Sequence, residues 1–306
     1  MRTAFIKTLI ELAGQDERIF FLTGDLGYGV VESFRDQFPK RFINMGVAEQ
    51  NMVGTAAGLA MSGKIPITYS IVTFVALRPL EFIRNDVCYQ NLNVKIVGVG
   101  AGFSYPQYAA THQAIDDVAI LRILPNLVIL NPGDPIETRL ATIAALKHVG
   151  PVYIRIGKKG EPNVHKKDFP FVIGKAVTIK NGKDFTVIAT GNILENTAKA
   201  VALLEKSGFS VRFLSMPTIK PIDQEAIKGA AKETKAIFTV EETFDIGGLG
   251  TATAEVLAEL SFKKFFKKIA IPNHYPKEIG SQNYLRGIYG LQPDQIAATI
   301  KQYFKK

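Results

Sequence analysis

The chain has 306 residues, 47% of them hydrophobic and 21% charged, a balance that excludes a largely disordered protein. It has no uninterrupted apolar run of about 18 residues, which excludes a membrane-spanning helix. A single cysteine, Cys88, excludes an internal disulfide framework and predicts a cytoplasmic protein. The net charge of +9 leaves nucleic acid, an acidic membrane and phosphorylated substrates open as partners.

The first half of the chain alternates helical and strand-like patterns. In chain order these are a helix at 2–13, strands at 18–23 and 42–45, a helix at 48–61, a strand at 65–69, a helix at 77–89, strands at 94–97 and 127–130, a helix at 135–148 and a strand at 152–156. Short apolar strands that alternate with helices predict a parallel sheet covered on both faces.

The pattern thins over residues 157–168, where Gly, Pro and Lys are frequent, and then resumes. The second half predicts strands at 185–189, 211–214 and 236–240, and helices at 192–207, 224–232, 249–260 and 293–304. We therefore predict an α/β protein of two domains, each a mostly parallel sheet flanked by helices. The predicted boundaries are a first domain at 1–160, a linker at 161–173 and a second domain at 174–306.

General chemical motifs do not assign a function. The sequence has no P-loop and no GxGxxG placed after a strand, and its histidines and cysteine lack metal-ligand spacing, so we expect no metal site in this chain. His165 lies among lysines and is interpreted as a solvated loop residue, and Cys88 as a small core residue. Asp116 and Asp117 are interpreted as a charge pair at a helix start.

The segment NMGVAEQNMVGTAAGLAMSG, at residues 44–63, is more informative. Glu49 opens a helix of small residues directly after a strand, at the sheet edge where α/β proteins bind ligands. The helix dipole favours a carboxylate there, whereas apolar neighbours favour the protonated acid. From the residues alone, an ordinary acidic residue in a first helical turn remains the alternative.

A run of ordered motifs decides between these interpretations. GVAEQNM, TFVALRPLEFIRNDV, THQAIDDVAILRILPN, PGDPIET and GPVYIR, followed by VIATGNILENTAKAVALLEKSG and FTVEETFDIGGLG, resemble the transketolase family in order and spacing. The resemblance is to the C-terminal half of transketolase, which some organisms encode as a separate small subunit. It implies a pyrimidine-binding domain followed by a transketolase C-terminal domain.

The resemblance implies thiamine diphosphate as cofactor. Glu49 matches the family's catalytic glutamate, which hydrogen-bonds N1′ of the aminopyrimidine ring and so assists removal of the thiazolium C2 proton. Phe74 matches an aromatic residue that packs on the pyrimidine ring. Asp25 matches an acidic residue near the cofactor.

Three residues match positions that contact the sugar. His112 matches a histidine that contacts a hydroxyl or carbonyl group of the substrate and is counted with Glu49 as catalytic. Arg155 matches an arginine that grips the sugar phosphate, a task suited to a guanidinium. Arg2 matches a second phosphate-binding arginine.

The sequence also departs from the family pattern in the loop VGVGAGFSYPQYAATHQ. Gly100 stands where the family has a histidine, Tyr108 where it has an aspartate that contacts a sugar hydroxyl, and Gly29 where it has a phosphate-binding serine. These changes predict a substrate other than the usual pentose phosphates, such as a modified or nucleotide-linked sugar.

The family's GDG…N motif, which holds the diphosphate and Mg²⁺, is missing from this sequence. We therefore expect a partner subunit, the transketolase N-terminal chain, to supply it in an α2β2 assembly. The function predicted is transfer of a two-carbon ketol unit between sugars by that complex.

Several alternatives remain. Two are enzymes: a 1-deoxyxylulose-5-phosphate-synthase-like carboligase and the β subunit of a 2-oxoacid dehydrogenase E1. A third is a non-catalytic regulatory or structural subunit. The fourth is a nucleic-acid-binding module, for which Lys263–Lys268 is the strongest basic segment, although a solvated edge is the simpler interpretation. This segment, the linker and Lys305–Lys306 together contain many of the lysines that make the net charge positive, a group we call the lysine surplus. We expect neither nucleic-acid binding nor membrane binding.

Overall fold

The computed structural model describes residues 1–304 and contains two units, each built around a mostly parallel sheet flanked by helices. The predicted α/β fold class is confirmed. Lys305 and Lys306, assigned to the lysine surplus, lie outside the described residues. Among residues 1–304, no helix is both long and apolar enough to cross a membrane.

The strands are β1 (Ile19–Thr23), β2 (Phe42–Asn44), β3 (Ile65–Ile71), β4 (Lys95–Val99), β5 (Val128–Leu130), β6 (Val152–Ile156), β7 (Val177–Lys180), β8 (Phe185–Ala189), β9 (Val211–Ser215), β10 (Thr218–Lys220), β11 (Ala236–Phe244) and β12 (Phe265–Ile271). The helices are α1 (Arg2–Ala13), α2 (Glu32–Gln37), α3 (Glu49–Met61), α4 (Val72–Leu77), α5 (Leu80–Phe82), α6 (Asp117–Arg122), α7 (Pro135–Lys147), α8 (Leu194–Lys206), α9 (Gln224–Glu233), α10 (Leu249–Glu259), α11 (Gln282–Ile288) and α12 (Pro293–Lys301). A π-helical segment, Ile83–Cys88, continues α5.

The first sheet has the strand order β10-β5-β6-β4-β3-β1-β2 and is parallel except at β10. Its central strands β4 and β6 are buried along their whole length. Helices cover both faces of such a sheet, so the strands are continuous apolar runs, which is why the sequence pattern predicts them well. The parallel register places the carboxyl ends of β1, β3 and β4 at one edge.

The second sheet has the order β12-β11-β8-β9-β7, with β7 antiparallel at one edge. The sequence pattern did not predict the edge strand β7, because exposed side chains interrupt its apolar run. The basic segment Lys263–Lys268 extends into β12. Lys264 Nζ donates to the carbonyl oxygens of Ala231, Lys232 and Thr234 near the end of α9, so this lysine has a structural role.

Strand β10 joins the two halves of the chain. It comes from the second half but pairs with β5 at the edge of the first sheet. Lys220, its last residue, extends this link by donating through Nζ to the carbonyl oxygen of Arg122 at 2.9 Å and to that of Leu124. The two sheets are therefore held together by backbone pairing as well as by side chains.

A buried arginine makes the second connection and corrects one expectation. Arg155 in β6 is 1% exposed, and its Nε donates to Oδ2 of Asp117 at 2.9 Å. Its Nη1 donates to Asn131 Oδ1 at 3.3 Å, and its Nη2 to the carbonyl oxygens of Ala114 at 2.5 Å and Glu242 at 3.3 Å. Because the guanidinium is enclosed and its donors are occupied, Arg155 does not contact a sugar phosphate as expected from the sequence. It links the two sheets instead.

Asp117, interpreted from the sequence as part of a charge pair at a helix start, is also the counter-ion of buried Arg155. The substitution Asp117→Asn is expected to lower the free energy of unfolding by about 3–5 kcal/mol, because it leaves the Arg155 charge buried without a counter-ion. Asp168→Asn is the control, since Asp168 is 64% exposed and its pair with Arg139 should contribute no more than about 1 kcal/mol. Urea unfolding of both variants measures the difference, and equal losses would contradict the assignment.

The segment between β6 and β7 contains no described helix or strand, and it is anchored at His165. The Oδ2 atom of Asp134 accepts bonds from the backbone N–H groups of Val164 at 2.9 Å and His165 at 2.8 Å, and lies 3.0 Å from the His165 Nδ1 atom. The ring also lies 3.5 Å from Glu137 Oε1, and the side chain is 7% exposed. The expectation of a solvated His165 is therefore wrong, because two buried carboxyl groups hold the ring.

These contacts make the linker anchor sensitive to pH. Burial lowers the pKa of His165, but its hydrogen bond to Asp134 and the charges of Glu137 and Asp134 outweigh burial, so the pKa is raised above 6.5. Burial also raises the pKa of Glu137 to about 7. The folded protein thus holds these protons more tightly than the unfolded chain, and the stabilisation is lost as pH rises through the folded-state values.

We accordingly expect His165→Gln to destabilise the protein more at about pH 6 than at about pH 8.5. Below 6.5 the wild-type contribution from His165 is fully present, and above its folded pKa that contribution has gone. The measurement is the difference in unfolding free energy between wild type and variant at both pH values. A difference independent of pH, or larger at the alkaline value, would show that protonated His165 does not anchor the linker.

Candidate active site

The candidate site begins with Glu49, the first residue of α3. Its side chain is 1% exposed, although it lies at the edge formed by the carboxyl ends of the first sheet. Ser70, near the end of β3, donates through Oγ to Glu49 Oε1 at 2.8 Å. Arg78, just after α4, donates through Nη1 to Oε2 at 2.9 Å. A buried carboxyl group needs such donors, because burial removes its contact with water.

Gly24, directly after β1, leaves room for this carboxyl group. A Cβ atom at this position would lie 3.1 Å from both Glu49 Oε1 and Ser70 Oγ. The next residue, Asp25, has a φ of 54° and is exposed. The Asn44 amide donates to it at 2.8 Å and the Tyr28 hydroxyl at 3.0 Å, and these hydrogen bonds lower the pKa of Asp25. Gly24 packs against the Glu49 carboxyl group, so its neighbour Asp25, the predicted cofactor residue, lies next to the part of the chain that contacts Glu49.

Phe74 is the second predicted site residue near Glu49. It is half-buried in α4, and the Arg78 guanidinium lies 3.7 Å from its ring centroid. Arg78 thus stacks on Phe74 and hydrogen-bonds Glu49 at the same time. Sequence reasoning did not single out Arg78. Its spacing of four residues from Phe74, which places both on one helical face, is the signal that could have identified it.

His112 also packs against Phe74 in an edge-to-face contact, with ring centroids 4.9 Å apart. Its other aromatic neighbours are Tyr108 at 4.7 Å and Tyr105 at 6.0 Å. Burial, and secondarily the charge of Arg78, lower the pKa of His112, so the neutral imidazole dominates at neutral pH. A neutral ring can both donate and accept a hydrogen bond.

The altered loop has a structural explanation at Gly100. This residue has a φ of +97°, and a Cβ atom there would lie 2.2 Å from the Tyr105 ring. Tyr105, which sequence reasoning also missed, therefore occupies the space that a histidine at position 100 would need. Tyr108 is exposed beside His112. The site is more aromatic than the family pattern predicts.

The structure thus brings together most of the predicted residues. Glu49, Phe74 and His112 form one connected group through Arg78. Arg2 begins α1, and its charge partly opposes the effect of burial, which raises the pKa of Tyr105 in the aromatic loop. Arg155 lies outside this group. Among residues 1–304, no three His, Cys, Asp or Glu side chains are grouped as a metal site would require.

Comparison with known proteins places this site in a family. Residues 1–162 match the transketolase pyrimidine binding domain, and residues 174–296 match the transketolase C-terminal domain. The chain belongs to the transketolase family. The resemblance described from the sequence is confirmed, and transketolase membership implies dependence on thiamine diphosphate.

Among transketolase relatives, an apulose-4-phosphate transketolase subunit from Phocaeicola vulgatus is 38% identical, covering 100% of this chain and 97% of the relative. A 6-deoxy-6-sulfo-D-fructose transketolase subunit from Clostridium sp. is 36% identical, covering 97% and 92%. A 1-deoxy-D-xylulose-5-phosphate synthase from Shouchella clausii is 32% identical over 97% of this chain, which spans only 48% of that enzyme.

A solved split-gene transketolase, described as an inactive β4 tetramer, superimposes with a TM-score of 0.90 at 38% identity, covering 98% of this chain and 97% of that structure. Both the relatives and this structure confirm the prediction that the chain is a transketolase-type subunit.

The pairing of Glu49 with Arg78 can be tested through stability. Arg78→Gln is expected to lower the free energy of unfolding by about 1 kcal/mol, because Glu49 then keeps one donor, while the 38% exposure of Arg78 limits the loss. In a Glu49→Gln background the same change should cost less than half as much. Denaturant unfolding of the four proteins completes the cycle, and additive losses would mean that the contact does not stabilise the fold.

Proposed function

We propose that this chain is the pyrimidine-domain subunit of a two-chain, thiamine-diphosphate-dependent transketolase that transfers a two-carbon ketol unit between sugars. The observation that carries the proposal is the connected group of Glu49, Arg78, Phe74 and His112 at the edge of the first sheet. A buried carboxyl group, an aromatic face and a neutral imidazole together suit a site that moves protons beside a bound heterocycle.

The residues present fit the pyrimidine half of the cofactor. When bound, thiamine diphosphate supplies a carbon nucleophile for attack on a ketose carbonyl. Glu49 would share a proton with N1′ of the pyrimidine, and Phe74 would pack on the ring. His112, kept neutral by its surroundings, would hydrogen-bond a hydroxyl or carbonyl group of the sugar.

The diphosphate and Mg²⁺ require oxygen ligands that we assign to a partner subunit. Two observations support this assignment: the sequence lacks the GDG…N motif, and one full-length relative is named as one subunit of its enzyme. We propose an α2β2 assembly with the transketolase N-terminal chain. The solved β4 tetramer of a similar chain, described as inactive, agrees with a chain that needs this partner.

The substrate is proposed to be a sugar other than the usual pentose phosphates. Tyr105 fills the space beside Gly100, and Tyr108 borders His112, so the loop offers fewer polar contacts to sugar hydroxyl groups. Relatives named for apulose 4-phosphate and for a sulfonated deoxyfructose support such a substrate. Of the alternatives, the carboligase is supported less, since this chain spans half of that relative.

Catalysis by Glu49 separates an enzyme subunit from a non-catalytic one. In the complex reconstituted with its partner, Glu49→Gln is expected to lower kcat by about 10²- to 10⁴-fold, because an amide cannot exchange a proton with the pyrimidine. Glu259→Gln, on the exposed end of α10, is the control and should retain activity. Steady-state ketol transfer measures both, and full activity of Glu49→Gln would reject the catalytic role.

Cofactor binding tests the division of the site between two chains. Titration calorimetry of thiamine diphosphate and Mg²⁺ should show little binding to this chain alone and tight binding to the complex. The physical reason is that most of the binding energy for a diphosphate comes from Mg²⁺ and its ligands. Tight binding by the isolated chain would contradict the assignment of these ligands to the partner.

A further inference from the structure

Two threonines precede two of the ring-bearing residues of the candidate site, and neither has a role in the function proposed above. Thr73 comes directly before Phe74 in α4, and Thr111 directly before His112 in the loop between β4 and α6. Thr73 is 6% exposed, and its Oγ1 atom donates to the carbonyl oxygen of Thr111 at 2.8 Å. The backbone at Thr111 is therefore attached to the helix that carries Phe74.

The hydroxyl group of Thr111 lies between two partners. Its oxygen is 2.7 Å from the carbonyl oxygen of Tyr108 and 2.9 Å from Nδ1 of His112. A threonine hydroxyl group has one hydrogen to donate, and a carbonyl oxygen can only accept. The hydrogen therefore points to Tyr108, and the Thr111 oxygen accepts its second bond from an N–H group at Nδ1 of His112.

The turn around this hydroxyl group holds the two partners in place. Ala109 has a φ of 51° and a ψ of −154°, a conformation that residues with a side chain adopt only where their surroundings impose it. Its carbonyl oxygen accepts from the backbone N–H groups of His112 at 3.1 Å and Gln113 at 3.0 Å. These bonds close the turn, so Tyr108 and His112 stay on either side of the Thr111 hydroxyl group.

The proton on Nδ1 decides what the other ring nitrogen of His112 can do. Burial, and secondarily the charge of Arg78, lower the pKa of His112, so the ring is neutral at neutral pH. A neutral imidazole carries one ring proton, and when Nδ1 holds it, Nε2 has a free lone pair and accepts a hydrogen bond. Within residues 1–304, Nε2 of His112 has no hydrogen-bond partner, so its lone pair is available to a ligand.

We propose that Thr111 is a positioning residue that fixes the tautomer of His112, so that Nε2 accepts a hydrogen bond from a hydroxyl group of the sugar substrate. This role rests on the proposed function and decides between the two contacts left open there, since an unprotonated Nε2 cannot donate to a carbonyl group. Phe74, at 4.9 Å between ring centroids, supports the ring, while Thr111 determines which nitrogen carries the proton.

The first test does not depend on turnover. The full chain, labelled with nitrogen-15 in its histidine rings, is studied by NMR at about pH 7.5, where the neutral ring dominates. The His112 signals are identified by their loss in His112→Gln. In wild type, Nδ1 is expected to be protonated and Nε2 unprotonated. Thr111→Val keeps the side-chain shape without the hydroxyl group and should shift the proton towards Nε2, whereas Thr111→Ser should keep the wild-type pattern.

The second test measures ketol transfer by the complex reconstituted with its partner. Thr111→Val is expected to lower kcat/KM by about 3- to 10-fold, the contribution of one hydrogen bond, and Thr111→Ser to restore most of it. Thr178→Val is the control, because it makes the same change at an exposed threonine in β7 of the second sheet. It should leave both the ring spectrum and kcat/KM unchanged.

The outcomes separate the role of Thr111 from the proposed function. A wild-type His112 ring with its proton on Nε2 would overturn the role of Thr111, even in a complex that transfers ketol units. Equal kcat/KM in wild type and Thr111→Val would also overturn it. The expected tautomer in wild type and its loss in Thr111→Val, without any ketol transfer by the complex, would reject the proposed function and retain Thr111 as the residue that fixes the tautomer.

Discussion

The buried guanidinium of Arg155, paired with Asp117, connects the first sheet to the second sheet and to the loop that carries His112. Arg155 also donates to the carbonyl oxygen of Ala114, two residues after His112, and to that of Glu242 in the second sheet. A buried charge cannot leave its partners without a large desolvation cost. Arg155 therefore holds this loop against both halves of the chain. In this protein the arginine of the GPVYIR motif positions the loop.

The candidate site depends on a second cation that serves two neighbours. Arg78 donates to the buried carboxyl group of Glu49 and stacks on Phe74, which in turn packs against His112. Each predicted residue is thereby oriented by contact with the next. Ser70 adds a second donor to Glu49 from the end of β3, so the carboxyl group is fixed by two separate elements. Such fixed donors are what proton transfer at a defined atom requires.

The structure shows what several of the cationic side chains behind the net charge of +9 contact. Several cations satisfy backbone carbonyl groups: Lys220 and Lys264 bind carbonyl oxygens near the ends of helices, and buried Lys95 donates to His148 and Gly150 at 2.8 and 2.7 Å. Burial lowers the pKa of Lys95 to about 7. At these positions the lysine side chains therefore support the fold by satisfying backbone carbonyl groups.

The sequence by itself determined the central strands, because a strand buried on both faces must be a continuous apolar run, and it determined the family through ordered motifs that include Glu49 and His112. Only the tertiary structure decided which cationic side chains near the end of β6 are enclosed and paired with an acid. Arg155 and Lys158 are three residues apart, yet one is neutralised by Asp117 and the other has no acidic partner within residues 1–304. A sequence pattern gives the residue type and its element, whereas the local charge balance depends on side chains brought together from distant segments.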